Sequence, residues 1–138
     1  MEQAIVVYDQ DCGFCRVSLG LLLILDRKRA APYALRPLPL GTEEADRLLA
    51  DLTEGQRNAS WHLIDTNGRR HSAGAALAPA LELLPGGHAP AALFARFPSA
   101  TERAYRWVAD HRRPLGRFVP ARARRWADRT IASRRGAQ

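Results

Sequence analysis

The feature that most constrains this chain is Tyr8-Asp9-Gln10-Asp11-Cys12-Gly13-Phe14-Cys15, set directly after the apolar run Ala4 to Val7. It places the only two cysteines three residues apart, where a strand should end and a helix should begin. Cysteines at i and i+3 of a helix share one face and can close a small disulfide ring. A cysteine at a helix N-terminus lies near unpaired backbone N–H groups and the positive end of the helix dipole. Both stabilise a thiolate, which is the nucleophile of disulfide exchange. The strand before and the helix after distinguish this arrangement from a bare C-x-x-C.

A zinc site would need two more ligands. No other cysteine exists, and His62, His71, His88 and His111 contain no pair at ligand spacing, so no metal is expected. No Gly-rich dinucleotide fingerprint occurs, so no organic cofactor is expected. At 138 residues with 46% hydrophobic content, the chain should form a single domain with a real core. The expected division is a core over residues 1–87 and an Arg-rich helical extension over 88–138. The N-terminus lacks a basic segment followed by a long apolar stretch, and Leu19 to Leu25 is too short to span a bilayer. A cytoplasmic location is therefore expected, where a paired C-x-x-C is a working dithiol more often than a permanent staple. The net charge of +7 is uneven: residues 96–138 carry twelve arginines against three acids.

Read for periodicity, Ala4 to Tyr8 is a strand buried on both faces. A helix follows from Cys12 or Gly13 to about Arg29, with Pro32 breaking it. Residues 33–38 form a second strand, with Pro37 removing a ladder donor. Thr42 caps a helix over 43–52. Residues 61–65 form a third strand, and Asn67-Gly68 turns the chain into a return strand. Ser72 caps a helix to Leu84, with Pro79 kinking it or marking its first turn. Helices are expected over 90–97, from the capping box Ser99-Ala100-Thr101-Glu102 to His111, and from Pro120 at N1 through Ile131. Pro114 stops the second of these, and residues 134–138 are expected to fray. The order β-α-β-α-β-β-α, with a parallel first pair and an antiparallel hairpin, is the α/β topology of a glutaredoxin-like, thioredoxin-like core with a helical C-terminal extension.

Tyr8-Asp9-x-x-Cys12-x-x-Cys15 resembles the signature of the DCC family of predicted thiol-disulfide oxidoreductases. The Trp61 to Asp65 strand with its Asn-Gly turn, Ser72-Ala73-Gly74-Ala75, and Arg103 to Ala109 followed by Arg112-Arg113 are similar to that family as well. The resemblance spans roughly residues 3 to 126. It implies an oxidoreductase on a thioredoxin-like fold that uses its own cysteines. Two positions differ. Gln10 stands where the family has glycine, and residues 56–60 hold no proline where thioredoxin-fold enzymes carry the cis-proline that aligns a substrate backbone.

In the expected mechanism Cys12 is the attacking thiolate and Cys15 the resolving thiol. The helix terminus lowers the Cys12 pKa, Asp9 and Asp11 oppose it, and Arg16 offsets them, which yields a moderate depression. Asp9 either relays a proton or caps the first turn. Gly13 and Phe14 are the expected substrate contacts, Phe14 as an exposed contact or as a wall. The expected partner is a protein or small-molecule disulfide or thiol. Two other readings use different features. One is a redox-silent or redox-sensing binding module on the same scaffold. The other is an adaptor for nucleic acid or a membrane surface, acting through the basic C-terminal helices.

Overall fold

Strand β1 (Ala4–Tyr8) is apolar throughout, and Ala4, Val6 and Val7 are almost fully buried. A strand covered on both faces belongs in the middle of a sheet. The computed structural model, which describes residues 3–27 and 33–136, places it there. With β2 (Leu35–Pro39), β3 (His62–Ile64) and β4 (Arg70–Ser72) it forms a sheet ordered β2-β1-β3-β4. β1 runs parallel to β2, with Val6 opposite Pro37, and antiparallel to β3, with Val6 opposite Leu63. β3 and β4 form the antiparallel hairpin that Asn67-Gly68 announces. Its turn uses a left-handed Gly68 (φ 81°), and the Asp65 carboxylate accepts the Asn67 and Arg69 N–H groups. Pro37 and Pro39 are tolerated because β2 is an edge strand.

The helices among the described residues are α1 (Gly13–Arg27), α2 (Glu43–Leu48), α3 (Glu54–Ala59), α4 (Leu77–Glu82), α5 (His88–Arg96), α6 (Pro98–Asp110), α7 (Arg112–Arg117) and α8 (Ala121–Gly136). A 3₁₀ turn, Ala73–Ala76, leads into α4. Alternation along β1 divides the core. Ala4, Val6 and Tyr8 pack with Leu19 and Leu23 of α1, Ala80 of α4 and Ile131 of α8. Val7 and Leu38 pack on the other face with Ala45 and Leu49. Fully buried leucines such as Leu23, Leu35 and Leu63 each contribute about 1.5–3 kcal/mol by leaving water.

Several local expectations change. The helix after Thr42 stops at Leu48, and a second capping box at Thr53 starts α3: Thr53 Oγ1 accepts from Gln56 N (3.2 Å) and Gln56 Oε1 accepts from Thr53 N (2.9 Å). Ser72 precedes the 3₁₀ turn without capping it, since its hydroxyl lies 2.6 Å from His62 Nδ1. His62 Nε2 lies 3.1 Å from the Arg57 carbonyl, and its N–H can only donate there. Both ring nitrogens of His62 are therefore engaged in structural contacts, and burial lowers its pKa. Pro79 sits in the first turn of α4. The box at Ser99 does not form, because α6 already begins at Pro98 with Phe97 before it. Glu102 instead reaches across to Gly74 N (3.0 Å) and to Arg106 Nε (3.0 Å). Pro114 lies in the first turn of α7, and Pro120 stands one residue before α8, its carbonyl accepting from Arg124 N (3.1 Å).

The expected fraying fails at Arg134, which is 1% exposed. Its guanidinium lies 2.6 Å from Asp26 Oδ2, donates to the Leu35 and Leu23 carbonyls, and stacks 3.8 Å from the Tyr33 ring centroid. The α1 limit at Arg29, the break at Pro32 and residues 137–138 lie outside the described residues.

Gly74 is where α6 meets the turn into α4. A Cβ there would stand 2.9 Å from Glu102 Cα and 3.1 Å from Glu102 N. That is backbone, which cannot swing aside. Gly74→Ala is expected to cost about 1–3 kcal/mol in urea unfolding. An unchanged midpoint would mean that α6 does not seat this closely.

Candidate active site

The end of β1 and the start of α1 are joined by a tight turn. Asp9 Oδ1 accepts from Asp11 N (2.9 Å), and the Asp9 carbonyl from Cys12 N (3.3 Å). Arg16 Nη1 donates to the Gln10 carbonyl (3.1 Å) and so ties the loop to the first turn of α1. Gln10 is not among the described residues with positive φ, so the turn needs no glycine there. Cys12 immediately precedes α1. Its carbonyl accepts the first helical bond from Arg16 N (3.0 Å), and its sulfur accepts from Cys15 N (3.3 Å). The Cys12 sulfur thus occupies the place of a capping oxygen, facing an N–H that has no other helical partner.

Both cysteines are free and partly buried, with Cys15 the deeper. The Cys15 thiol donates a hydrogen bond to the Cys12 sulfur. This bond is the largest cause that brings the Cys12 pKa from an ordinary 9.0 down to about 6. Burial opposes the shift; the Cys15 backbone N–H and the Arg112 charge favour it; Asp9 works against it. The same bond, followed by burial and the Cys12 charge, pushes Cys15 far up. The pair is therefore split into a ready thiolate and a retained thiol. The cation that acts on it is Arg112, at the start of α7, rather than Arg16. Arg16 is directed to Gln10 and, at 3.3 Å, to Asp128. Asp9 acts on both sulfurs by charge, while one of its oxygens holds the turn.

Two hollows flank the dithiol. On the Cys15 side is a mainly apolar cavity of about 410 Å³, walled by Phe14, Trp61, Phe94, Tyr105 and Val108. Phe14 is half-buried and forms part of this wall. The Tyr105 hydroxyl accepts from Trp61 N (3.1 Å), and Arg112 Nη2 donates to the Asn58 carbonyl (2.8 Å), so the segment before β3 is bonded to the helices that face it. On the Cys12 side is a cleft of about 390 Å³, lined by Asp9, Asp11, Cys12, Gly13, Gly116 and the arginines at 112, 113, 117 and 124. The Arg124 stem crosses Gly13 so closely that a Cβ there would stand 2.9 Å from Arg124 Cδ. Gly13 thus lets α8 bring an arginine over the motif.

The structure brings Asp9, Cys12, Gly13, Phe14 and Cys15 together in one place. Sequence reasoning missed Arg112 and Tyr105 as its neighbours. The signal available was the Arg112-Arg113 pair closing the segment similar to the DCC family. Among the described residues no group of three or more His, Cys, Asp or Glu side chains could hold a metal ion. No helix among them is long and apolar enough to cross a membrane.

Residues 6–118 match the family model of the DCC1-like thiol-disulfide oxidoreductases, which covers most of the chain. No curated protein matches, and no solved structure does.

Proposed function

We propose that this chain, which belongs to the DCC1-like thiol-disulfide oxidoreductase family, is itself a dithiol oxidoreductase built on a thioredoxin-like scaffold. The observation that carries this reading is the asymmetry of the pair: a Cys12 thiolate at about pKa 6, held by a Cys15 thiol that keeps its proton. The mixed four-stranded sheet, with its parallel first pair and antiparallel hairpin, supports the scaffold part of this reading.

In the first step the Cys12 thiolate attacks one sulfur of a substrate disulfide. A Cys12–substrate mixed disulfide forms and the other half leaves as a thiolate. That bond removes the charge and the acceptor that held the Cys15 proton. Two of the four causes raising Cys15 then disappear, leaving burial and Asp9 against Arg112. Cys15 loses its proton to water or to the departing thiolate and attacks Cys12 Sγ. The Cys12–Cys15 disulfide forms, and the second half of the substrate leaves. The protein has given up two electrons and the substrate has become two thiols. Asp9 shapes the turn and moderates the thiolate by its charge. Gly13 and Phe14 lie where a substrate would touch the dithiol.

The test is the redox equilibrium of the pair against a graded glutathione series, read by thiol alkylation. The expected result is a reversible two-electron transition that is lost in Cys15→Ser. No reversible intramolecular disulfide across the series would refute the proposal.

A further inference from the structure

The cleft beside Cys12 is lined by the four arginines at 112, 113, 117 and 124 against Asp9 and Asp11. Among the described residues none of these arginines forms an ion pair; the salt bridges use other residues. Arg112 donates to the Asn58 carbonyl, Arg113 and Arg117 are exposed, and Arg124 is held with its stem across Gly13. One Asp9 oxygen is engaged in the turn. The attacking sulfur therefore opens onto a concentration of guanidinium donors, whose planar fork matches a carboxylate.

A second observation concerns the backbone. Extended polypeptides commonly dock by pairing with free main-chain groups. Beside the dithiol, the Trp61 N–H is taken by the Tyr105 hydroxyl and the Asn58 carbonyl by Arg112. The carbonyls of Arg57 and Trp61 are likewise engaged, by His62 Nε2 and by Ser60 Oγ and Ala73 N. These main-chain groups of the segment before β3 are thus already bonded, while the charge beside Cys12 comes from the arginines of α7 and α8.

We infer that the substrate is a low-molecular-weight disulfide carrying carboxylates, selected by Arg113, Arg117 and Arg124 in the cleft beside Cys12. The inference rests on the dithiol reading above and adds the substrate class. The exchange is the one already written: the reduced dithiol is oxidised, the anionic disulfide is cleaved to two thiols, and no further reductant enters a single turnover.

The experiment uses the full chain, reduced beforehand, in single-turnover reactions at low salt with three probes. These are anionic glutathione disulfide, neutral bis(2-hydroxyethyl) disulfide and cationic cystamine. Each rate is divided by that of dithiothreitol, a neutral dithiol, with the same disulfide, to remove intrinsic reactivity. The normalised rate should favour the anionic probe over the neutral one by about tenfold and disfavour the cationic one. Added salt should shrink the preference. The double substitution Arg113→Ser/Arg117→Ser, at exposed positions, should bring the anionic-to-neutral ratio toward one. A wild-type ratio near one, or a ratio the double variant does not move, overturns this inference and leaves the dithiol reading standing. A protein that reduces none of the three probes overturns both.

Discussion

Cys12→Ser is expected to reduce disulfide exchange to background, a loss on the order of a thousandfold or more, as removal of a catalytic nucleophile generally does. Cys15→Ser should stall at the mixed disulfide, which mass spectrometry would detect. The finer expectation concerns pH. With a pKa of about 6, the Cys12 sulfur should be roughly nine-tenths thiolate at pH 7. Its rate of alkylation by iodoacetamide should rise through a midpoint near pH 6, well below that of an ordinary thiol. Each cause has a sign that can be read separately. Cys15→Ala removes the leading hydrogen bond and should move the midpoint up the most; Arg112→Ala should move it up less; Asp9→Asn should move it down. A midpoint above pH 8 in the wild-type protein would remove the physical basis for Cys12 as the nucleophile.

The same shift appears in stability. The folded pKa of Cys12 lies below its unfolded value, so the reduced unfolded chain binds more protons in the interval between them. The contribution to stability is full above the ordinary thiol value of 9.0 and is lost as pH falls through about 6. The oxidised protein carries no such dependence at Cys12. The stability difference between the two redox forms should therefore drift across that window, with the reduced form losing ground on acidification.

Asp26→Ala is expected to destabilise the protein by about 3–5 kcal/mol, because it strands the buried Arg134 charge. The carboxylate is 0% exposed and also accepts the Ala34 and Leu35 N–H groups (3.1 Å each), which would lose their acceptors. Arg134→Met should cost a similar amount by leaving Asp26 unpaired. The double variant should cost less than the sum, since the two residues share one interaction. It should not return to wild type, because the two N–H groups remain without their acceptor. Urea unfolding measures all three. Single variants within about 1 kcal/mol of wild type would show that the pair does not hold α8 to the core. A chain ending after residue 118 would lose Ile131 from the apolar core as well as Arg134, and is expected to show no cooperative transition.

Much of the site was legible because its signals are local. An apolar, β-branched run followed by Asp9 to Cys15 specifies a strand, a turn and a helix start within a dozen residues. The Asn67-Gly68 turn specifies the hairpin in the same way. Where the local reading failed, it met a second local signal of the same kind. Thr53-x-x-Gln56 is as good a capping box as Ser99-x-x-Glu102, but only the first forms. The difference lies outside the motif: Pro98 starts α6 one residue before Ser99, and Glu102 is drawn to Gly74, 28 residues away. Ser72 is likewise a good capping residue whose hydroxyl meets His62 across the hairpin.

The sequence by itself determined the central strand, the parallel crossover, the hairpin and the position of both thiols at a helix start, because each follows from periodicity and turn chemistry within a few residues. Only the tertiary structure decided which cation faces the thiolate, which arginines converge on the cleft and which are buried. Arg134 and Asp26 are 108 residues apart, and Arg112 and Asn58 are 54 apart. Apart from the Arg112-Arg113 pair that closes the family-like segment, periodicity and turn chemistry do not distinguish one arginine of a basic tail from another. Burial and charge become specific to a residue only once helices from opposite ends of the sequence have packed on the same sheet.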